Sequence, residues 1–288
     1  MTDLSETVIQ ALAHADVARA LSEDIGAGDL TAALIDANPR VCARVLVREA
    51  AVLCGAPWVE AAVRALDPQA GFVWHAGEGQ RCNADQVVLE IEAKAQALLS
   101  AERTALNFLQ LLSAVASKTA LYVQAVEGTR AQIVDTRKTL PGLRLAQKYA
   151  VRMGGGVNHR IGLFDAVLIK ENHIAAAGGI APVLARAAAA AGQASFVEIE
   201  VETLAQLQEA LAAGATMVLL DNMDLPTLHE AVRLNEARGT ARAVLEISGG
   251  VTLESVRTLA LTGVDRISIG ALTKDVKAID FSMRFEGL

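Results

Sequence analysis

Between Gln132 and Thr273 the chain repeats one pattern six times: a short, mostly apolar run of strand length, with helical spacing in the segments between. The runs are QIVDT (Gln132–Thr136), AVLIK (Ala166–Lys170), FVEIEVE (Phe196–Glu202), TMVLLDN (Thr216–Asn222), AVLEISGG (Ala243–Gly250) and RISIGALT (Arg266–Thr273). Helical patterns cover Leu143–Met153, Ile180–Ala191, LAQLQEALAAG up to Gly214, Leu225–Arg238 and Leu253–Leu261. Apolar runs without clean alternation suit strands buried on both faces, and helices between them imply parallel crossovers. No Gly-x-Gly-x-x-Gly follows the first run, which favours an α/β barrel over a dinucleotide-binding sheet. A further short strand fits between Arg152 and Gly162, but eight strands are not supported. The expected fold class is α/β, with an incomplete α/β barrel.

The first half predicts an α+β, sandwich-like N-terminal domain. A helix over Leu4–Leu21 leads through the turn-rich SEDIGAGDLT to strand-like RVCARVLVREAAVLCG and a helix over Pro57–Leu66. GFVWHAGEG and DQVVLEIEAKAQAL read as two more strands, and a long helical run, Leu99–Glu127, bridges the halves. The division expected is 1–115 for the N-terminal domain and 116–273 for the barrel.

Charge and cysteine content exclude several classes. The formal net charge of −7 offers nucleic acid no overall attraction, and only two Trp, two Tyr and six Phe are available for stacking. Apolar runs such as Ile174–Ala185 are too short to span a bilayer, and MTDLSETVIQ lacks the basic and apolar regions of a signal peptide. Cys42, Cys54 and Cys82 form no CxxC pair and suit a reducing cytoplasm.

Against this acidic background, Asp135–Arg160 (DTRKTLPGLRLAQKYAVRMGGGVNHR) gathers six of the 26 Lys and Arg residues with a single acid. Barrel active sites lie at the C-terminal ends of the strands. Those ends carry Asp135 with Arg137 and Lys138, then Lys170, Glu200, Asp221, Ser248 with Gly249 and Gly250, and Gly270. One charged strand end is usually a solvated loop, and one glycine-rich turn is usually only a turn. Lysine, glutamate and aspartate on three successive strands are harder to dismiss, since Lys170 after AVLI needs an anion beside it. Arg and Lys suit carboxylate or phosphate, and glycine turns let backbone N–H groups approach phosphate. Glu200 and Asp221 suit Mg²⁺ or sugar hydroxyls. His159, within such a cationic pocket, suits an anion ligand or proton donor. Glu171–His173 lacks the HExxH spacing of a catalytic zinc site. Arg144, Lys148 and Arg152 read as the solvated face of the helix after Leu143. The residues alone reach a barrel enzyme for a multiply anionic, phosphate-bearing small molecule, with Mg²⁺.

The order of the motifs goes further. EDIGAGDLT (Glu23–Thr31), ERTALNFLQLLSAVAS (Glu102–Ser117), DTRKTLPGLR (Asp135–Arg144), GGGVNHRIGLFDAVLIKENH (Gly154–His173), VEIEVE, LLDN, EISGG and ISIGALT are colinear over nearly the whole chain. Together they resemble nicotinate-nucleotide diphosphorylase (carboxylating), the quinolinate phosphoribosyltransferase family. The resemblance implies a pentosyltransferase of NAD biosynthesis that joins quinolinate to 5-phosphoribosyl 1-diphosphate (PRPP) with Mg²⁺, giving nicotinate mononucleotide, diphosphate and CO₂. It also implies that about 274–288 return to the N-terminal domain, and a cytoplasmic homodimer in which Arg103 reaches the partner's site. By the same resemblance Arg137, His159, Arg160 and Lys170, with Arg103 and Lys138, hold the carboxylates and diphosphate. Glu200 and Asp221 face ribose and Mg²⁺, directly or through water, and with Lys170 form the catalytic set. Ser248, Gly249, Gly250 and Gly270 hold the 5-phosphate. Competing readings are a molybdenum-associated paralogue, nicotinate phosphoribosyltransferase, an aldolase with Lys170 as Schiff-base lysine, and a non-catalytic phosphosugar-binding barrel.

Overall fold

The computed structural model describes residues 4–36, 39–190, 192 and 194–286. The expected domain ends at 1–3 and 287–288, and Ala191 as the last residue of one helix, lie outside them. The chain divides into two compact units: Leu121–Lys138 with Gly156–Ala271, and the described residues up to Ala120 with Thr139–Gly155 and those from Leu272 onward.

The N-terminal unit opens with α1 (Glu6–Ile25), followed by β1 (Arg40–Val47), β2 (Ala51–Val52), α2 (Ala56–Leu66), β3 (Gly71–Trp74), β4 (Arg81–Cys82) and β5 (Gln86–Lys94). Helix α3 (Ala95–Ala125) starts here, and its last residues count with the other unit. Ala43, Val45 and Val47 alternate with Arg44 along β1, so one face of that strand is core and the other carries charge. Pro57 in its first turn favours α2, which buries Trp58, Val59, Ala61, Ala62 and Val63.

The barrel unit supplies β6 (Gln132–Val134), then α4 (Arg144–Met153) belongs with the N-terminal unit, and the barrel resumes at β7 (Val167–Ile169). It continues through α5 (Glu171–Ala177), α6 (Ile180–Ala190), β8 (Val197–Val201), α7 (Leu204–Ala212), β9 (Met217–Asp221) and α8 (Leu225–Glu236). β10 (Val244–Ser248), α9 (Leu253–Ala260) and β11 (Arg266–Ser268) complete it, before the short α10 (Ala271–Lys274) and β12 (Phe281–Phe285). Thr203, Asp224 and Thr252 accept main-chain N–H bonds at the starts of α7, α8 and α9, fixing where each helix begins after its strand.

The six strands pair in parallel in the order β6-β11-β10-β9-β8-β7. Val134 of β6 makes a further parallel bridge to Val157, the position between Arg152 and Gly162 where the sequence allowed a short strand. This is an incomplete α/β barrel. In the N-terminal unit the antiparallel sheet runs β12-β1-β5-β3, with Phe281 opposite Val47 and Phe285 opposite Ala43.

One expectation fails on α4. Arg152 is exposed there and Arg144 half-buried, but Lys148 is 0% exposed, so it is no part of a solvated face. The reason is that Ala146 to Val151 are buried consecutively, so the middle of α4 is enclosed on all sides. Tyr149 packs 5.8 Å from Trp58, and a Cβ on Gly154 would meet the Ala116 carbonyl oxygen, so this end of α4 is tied to α2 and α3. Cys42, Cys54 and Cys82 are free thiols. No helix among the described residues is long and apolar enough to cross a membrane.

Candidate active site

A cavity of about 350 Å³ opens at the C-terminal ends of the barrel strands. Thr136, Arg137 and Lys138 reach it from the turn after β6, and His159 and Arg160 from the turn after the Val157 bridge. Leu168 and Lys170 come from β7 and its end, Glu200 from β8, Leu219 from β9, Glu246 and Ser248 from β10, and Ser268 from β11.

Lys170 follows the buried Ile169 and caps α5, its main-chain N–H donating to His173 Nδ1 at 3.0 Å. Its ammonium lies 2.5 Å from Glu200 Oε2, with the lysine side chain 45% exposed and the glutamate 10%. The anion this lysine needs is therefore supplied from the next strand.

The Asn158–Arg160 turn is held by buried acids. Asp135, fully buried, accepts from Asn158 Nδ2 at 2.6 Å and from the His159 main-chain N–H at 2.9 Å. The Arg160 main-chain N–H donates to His159 Nδ1 at 2.8 Å, while His159 Nε2 lies 2.8 Å from Glu198 Oε2 and 3.6 Å from Glu246 Oε1. Arg266 Nε sits 2.8 Å from Glu246 Oε2, and the His159 ring meets Phe196 edge-on at 5.1 Å. Burial, with some repulsion from Glu200, drives Glu198 up to about 7, and burial, with repulsion from Glu198, drives Glu246 up to about 7.

Two guanidiniums lie close together at the cavity wall. Burial, then the neighbouring Arg137 charge, lowers the Arg160 guanidinium below its ordinary value. Arg137 Nε is buried and has no hydrogen-bond partner among the described residues. Two guanidinium groups with Lys138 beside them form a place for an anion with more than one oxygen.

Glycine shapes the ends of β9–β11. Asp221 pairs in register with Ser248, and Asn222, in the left-handed region, donates from Nδ2 to Asp221 Oδ2 at 2.9 Å. A Cβ on Gly249, at φ +103°, would lie 2.0 Å from Asn222 Oδ1, so only glycine leaves room for that amide. A Cβ on Gly270 would press to 2.9 Å from Lys138 Cδ.

Arg137, Lys138, His159, Arg160, Lys170, Glu200 and Ser248 thus line one cavity. Asp221, Gly249 and Gly250 sit at the adjoining strand ends, and Gly270 backs Lys138. Arg103 stands exposed on α3 in the N-terminal unit. Glu198, Glu246 and Ser268 were not foreseen. The signal for the first two was present: Glu198 with Glu200, and Glu246 with Ser248, are two apart on a strand and so point the same way.

Two family models cover most of the chain: quinolinate phosphoribosyl transferase N-terminal domain over residues 29–113, and its C-terminal domain over 115–284. A probable nicotinate-nucleotide pyrophosphorylase [carboxylating] of Bacillus subtilis is 41% identical over 261 residues, 91% of this chain and 89% of its own. The nicotinate-nucleotide pyrophosphorylase [carboxylating] of Mycobacterium leprae is 42% identical over 274 residues, 93% of this chain and 95% of its own. The solved nicotinate-nucleotide pyrophosphorylase of Francisella tularensis superposes with a TM-score of 0.92 at 42% identity, covering 96% of this chain and 97% of that one. With models matched in both halves and relatives this similar along their lengths, the chain belongs to the quinolinate phosphoribosyl transferase family.

Proposed function

We propose that the barrel cavity transfers the phosphoribosyl group of PRPP to quinolinate with loss of CO₂, giving nicotinate mononucleotide and diphosphate in NAD biosynthesis. The observation that carries this reading at the site is the pair Arg137 and Arg160, two guanidiniums close enough on the cavity wall for one to depress the other's proton affinity, with Arg137 Nε buried and without a hydrogen-bond partner among the described residues. A pyridine dicarboxylate supplies the missing charge in fork geometry, and Lys138 adds a third cation. Lys170 and Glu200 lie side by side in contact at the cavity mouth, where Lys170 neutralises departing diphosphate and Glu200 accepts from ribose hydroxyls. Ser248, with the turn of Gly249 and Gly250, and Gly270 take the 5-phosphate. Holding the pyridine nitrogen in line with ribose C1 removes much of the entropic cost of meeting. Nitrogen attacks C1 as the C1–O bond to diphosphate breaks. The C2–carboxylate bond then breaks as CO₂ leaves, its electron pair stays at C2 beside the cationic ring nitrogen, and C2 takes up a proton from water.

Glu200 and Asp221 fit Mg²⁺: both are hard oxygen donors at neighbouring strand ends, and Lys170 and Asn222 each engage one oxygen of the pair of carboxylates. Bound there, Mg²⁺ would neutralise PRPP oxygens. A second copy of the chain supplies Arg103. Leu99, one turn before it on α3, is exposed, as are Leu30 (88%) and Leu34 (82%), apolar side chains that a second copy would cover. A reducing cytoplasm suits the three free thiols.

Release of labelled CO₂ from quinolinate carboxyl-labelled at position 2 tests the reading. Release requiring both PRPP and Mg²⁺ is expected, and no release from folded protein would sink it.

A further inference from the structure

Four side chains lie together beside the anion-binding wall, and the transfer reaction described above assigns a step to none of them. Glu198 and Glu246 are fully buried on β8 and β10, Arg266 is mostly buried on β11, and His159 sits between the two acids. The donor atoms of His159, Glu198 and Glu246 fall within 4.8 Å of one another, the spacing of a metal triad. A cation is not needed to explain them, because Arg266 already places a guanidinium 2.8 Å from Glu246.

The hydrogen on the Arg160 main-chain nitrogen is fixed by backbone geometry and points at His159 Nδ1, 2.8 Å away. That ring nitrogen must therefore accept and carries no proton. The neutral ring then bears its hydrogen on Nε2, which lies 2.8 Å from Glu198 Oε2. Both nitrogens are spent inside the protein, although the ring lines the cavity. We propose that Glu198, backed by Glu246 and Arg266, is a positioning residue that fixes His159 in its Nε2–H tautomer, so that His159 anchors the Arg160 main chain and presents that guanidinium beside Arg137. His159 is then a strut for the anion-binding wall and neither a proton donor nor an anion ligand. Asp135 fixes the same turn from the other side through Asn158 and the His159 N–H.

The kinetic half of this inference rests on the quinolinate reading; the tautomer does not. In ligand-free wild type, long-range ¹⁵N–¹H NMR of the five histidines, with His159 assigned from a His159→Gln spectrum, is expected to show a neutral Nε2–H ring at neutral pH. An Nδ1–H ring or an imidazolium overturns the proposal, whether or not the protein turns over quinolinate. In steady-state kinetics, Glu198→Gln keeps an acceptor for Nε2–H and holds KM for quinolinate within about threefold of wild type. Glu198→Leu raises that KM about tenfold or more, the loss an unpaired buried donor brings, with kcat moving less than KM. A wild-type KM in Glu198→Leu overturns the proposal. Should that variant fail to fold, His159→Asn decides: its amide oxygen still reaches the Arg160 N–H but nothing reaches Glu198. A raised KM for quinolinate supports the strut, and an unchanged one overturns it.

Discussion

Lys170 Nζ lies 2.5 Å from Glu200 Oε2, one step beyond the point where Ile169 and Ile199 pair in register on β7 and β8. The two side chains leave their strands at the same level, so the pair is set by sheet geometry and not by a flexible loop. Lys170→Ala removes the cation assigned to the leaving diphosphate, and kcat/KM should fall more than about tenfold. Steady-state kinetics with near-normal kcat/KM would take Lys170 out of the reaction.

Arg137→Lys keeps the charge but loses the planar fork. KM for quinolinate should rise at least about fivefold, while KM for PRPP changes less. Equal rises for both substrates would mean that Arg137 does not select the dicarboxylate.

Gly249→Ala forces a methyl group against Asn222 Oδ1 at a φ of +103°. A destabilisation of roughly 1–3 kcal/mol is expected, with the Asn222 amide displaced from Asp221. A thermal melt matching wild type would show that the β9–β10 turn rearranges freely.

Glu246 titrates near 7 in the fold, mainly through burial, against 4.5 ordinarily. Between those values the unfolded chain releases this proton while the fold retains it, so rising pH lowers stability across that window. Glu246→Gln should flatten the decline, read as urea unfolding free energy at several values from about pH 5 to 7. A wild-type slope in the variant would assign the decline to other groups.

Chelation of divalent metal should abolish CO₂ release, and added Mg²⁺ should restore it if Glu200 and Asp221 act with a metal. Asp221→Asn should then require more Mg²⁺ for half-maximal rate. Full activity in excess chelator would leave those carboxylates with ribose alone.

Much of this was legible because parallel strands advertise themselves. The apolar run 217–220 is buried on both faces, and Lys170, the polar residue that ends the run Val167–Ile169, marks the cavity mouth. Lys148 was misread because three basic residues at four-residue spacing suggest one wet face, while enclosure of α4 depends on α2 and α3, far away in sequence. Glu198 and Glu246 escaped for a related reason. Inside a strand, an acid that faces solvent and one that faces a buried histidine look alike until the neighbouring strands are in place.

The pairing of β12 with β1 bears on how the molecule is made. A ribosome delivers Val47 roughly 230 residues before Phe281, which at typical synthesis rates is a delay of roughly 10–50 s. Throughout that interval one edge of β1 has no neighbour, and an open strand edge invites pairing with other nascent chains. Arg44, whose guanidinium meets Glu90 on one side and Glu286 on the other in the finished sheet, places a charge on that edge while it waits.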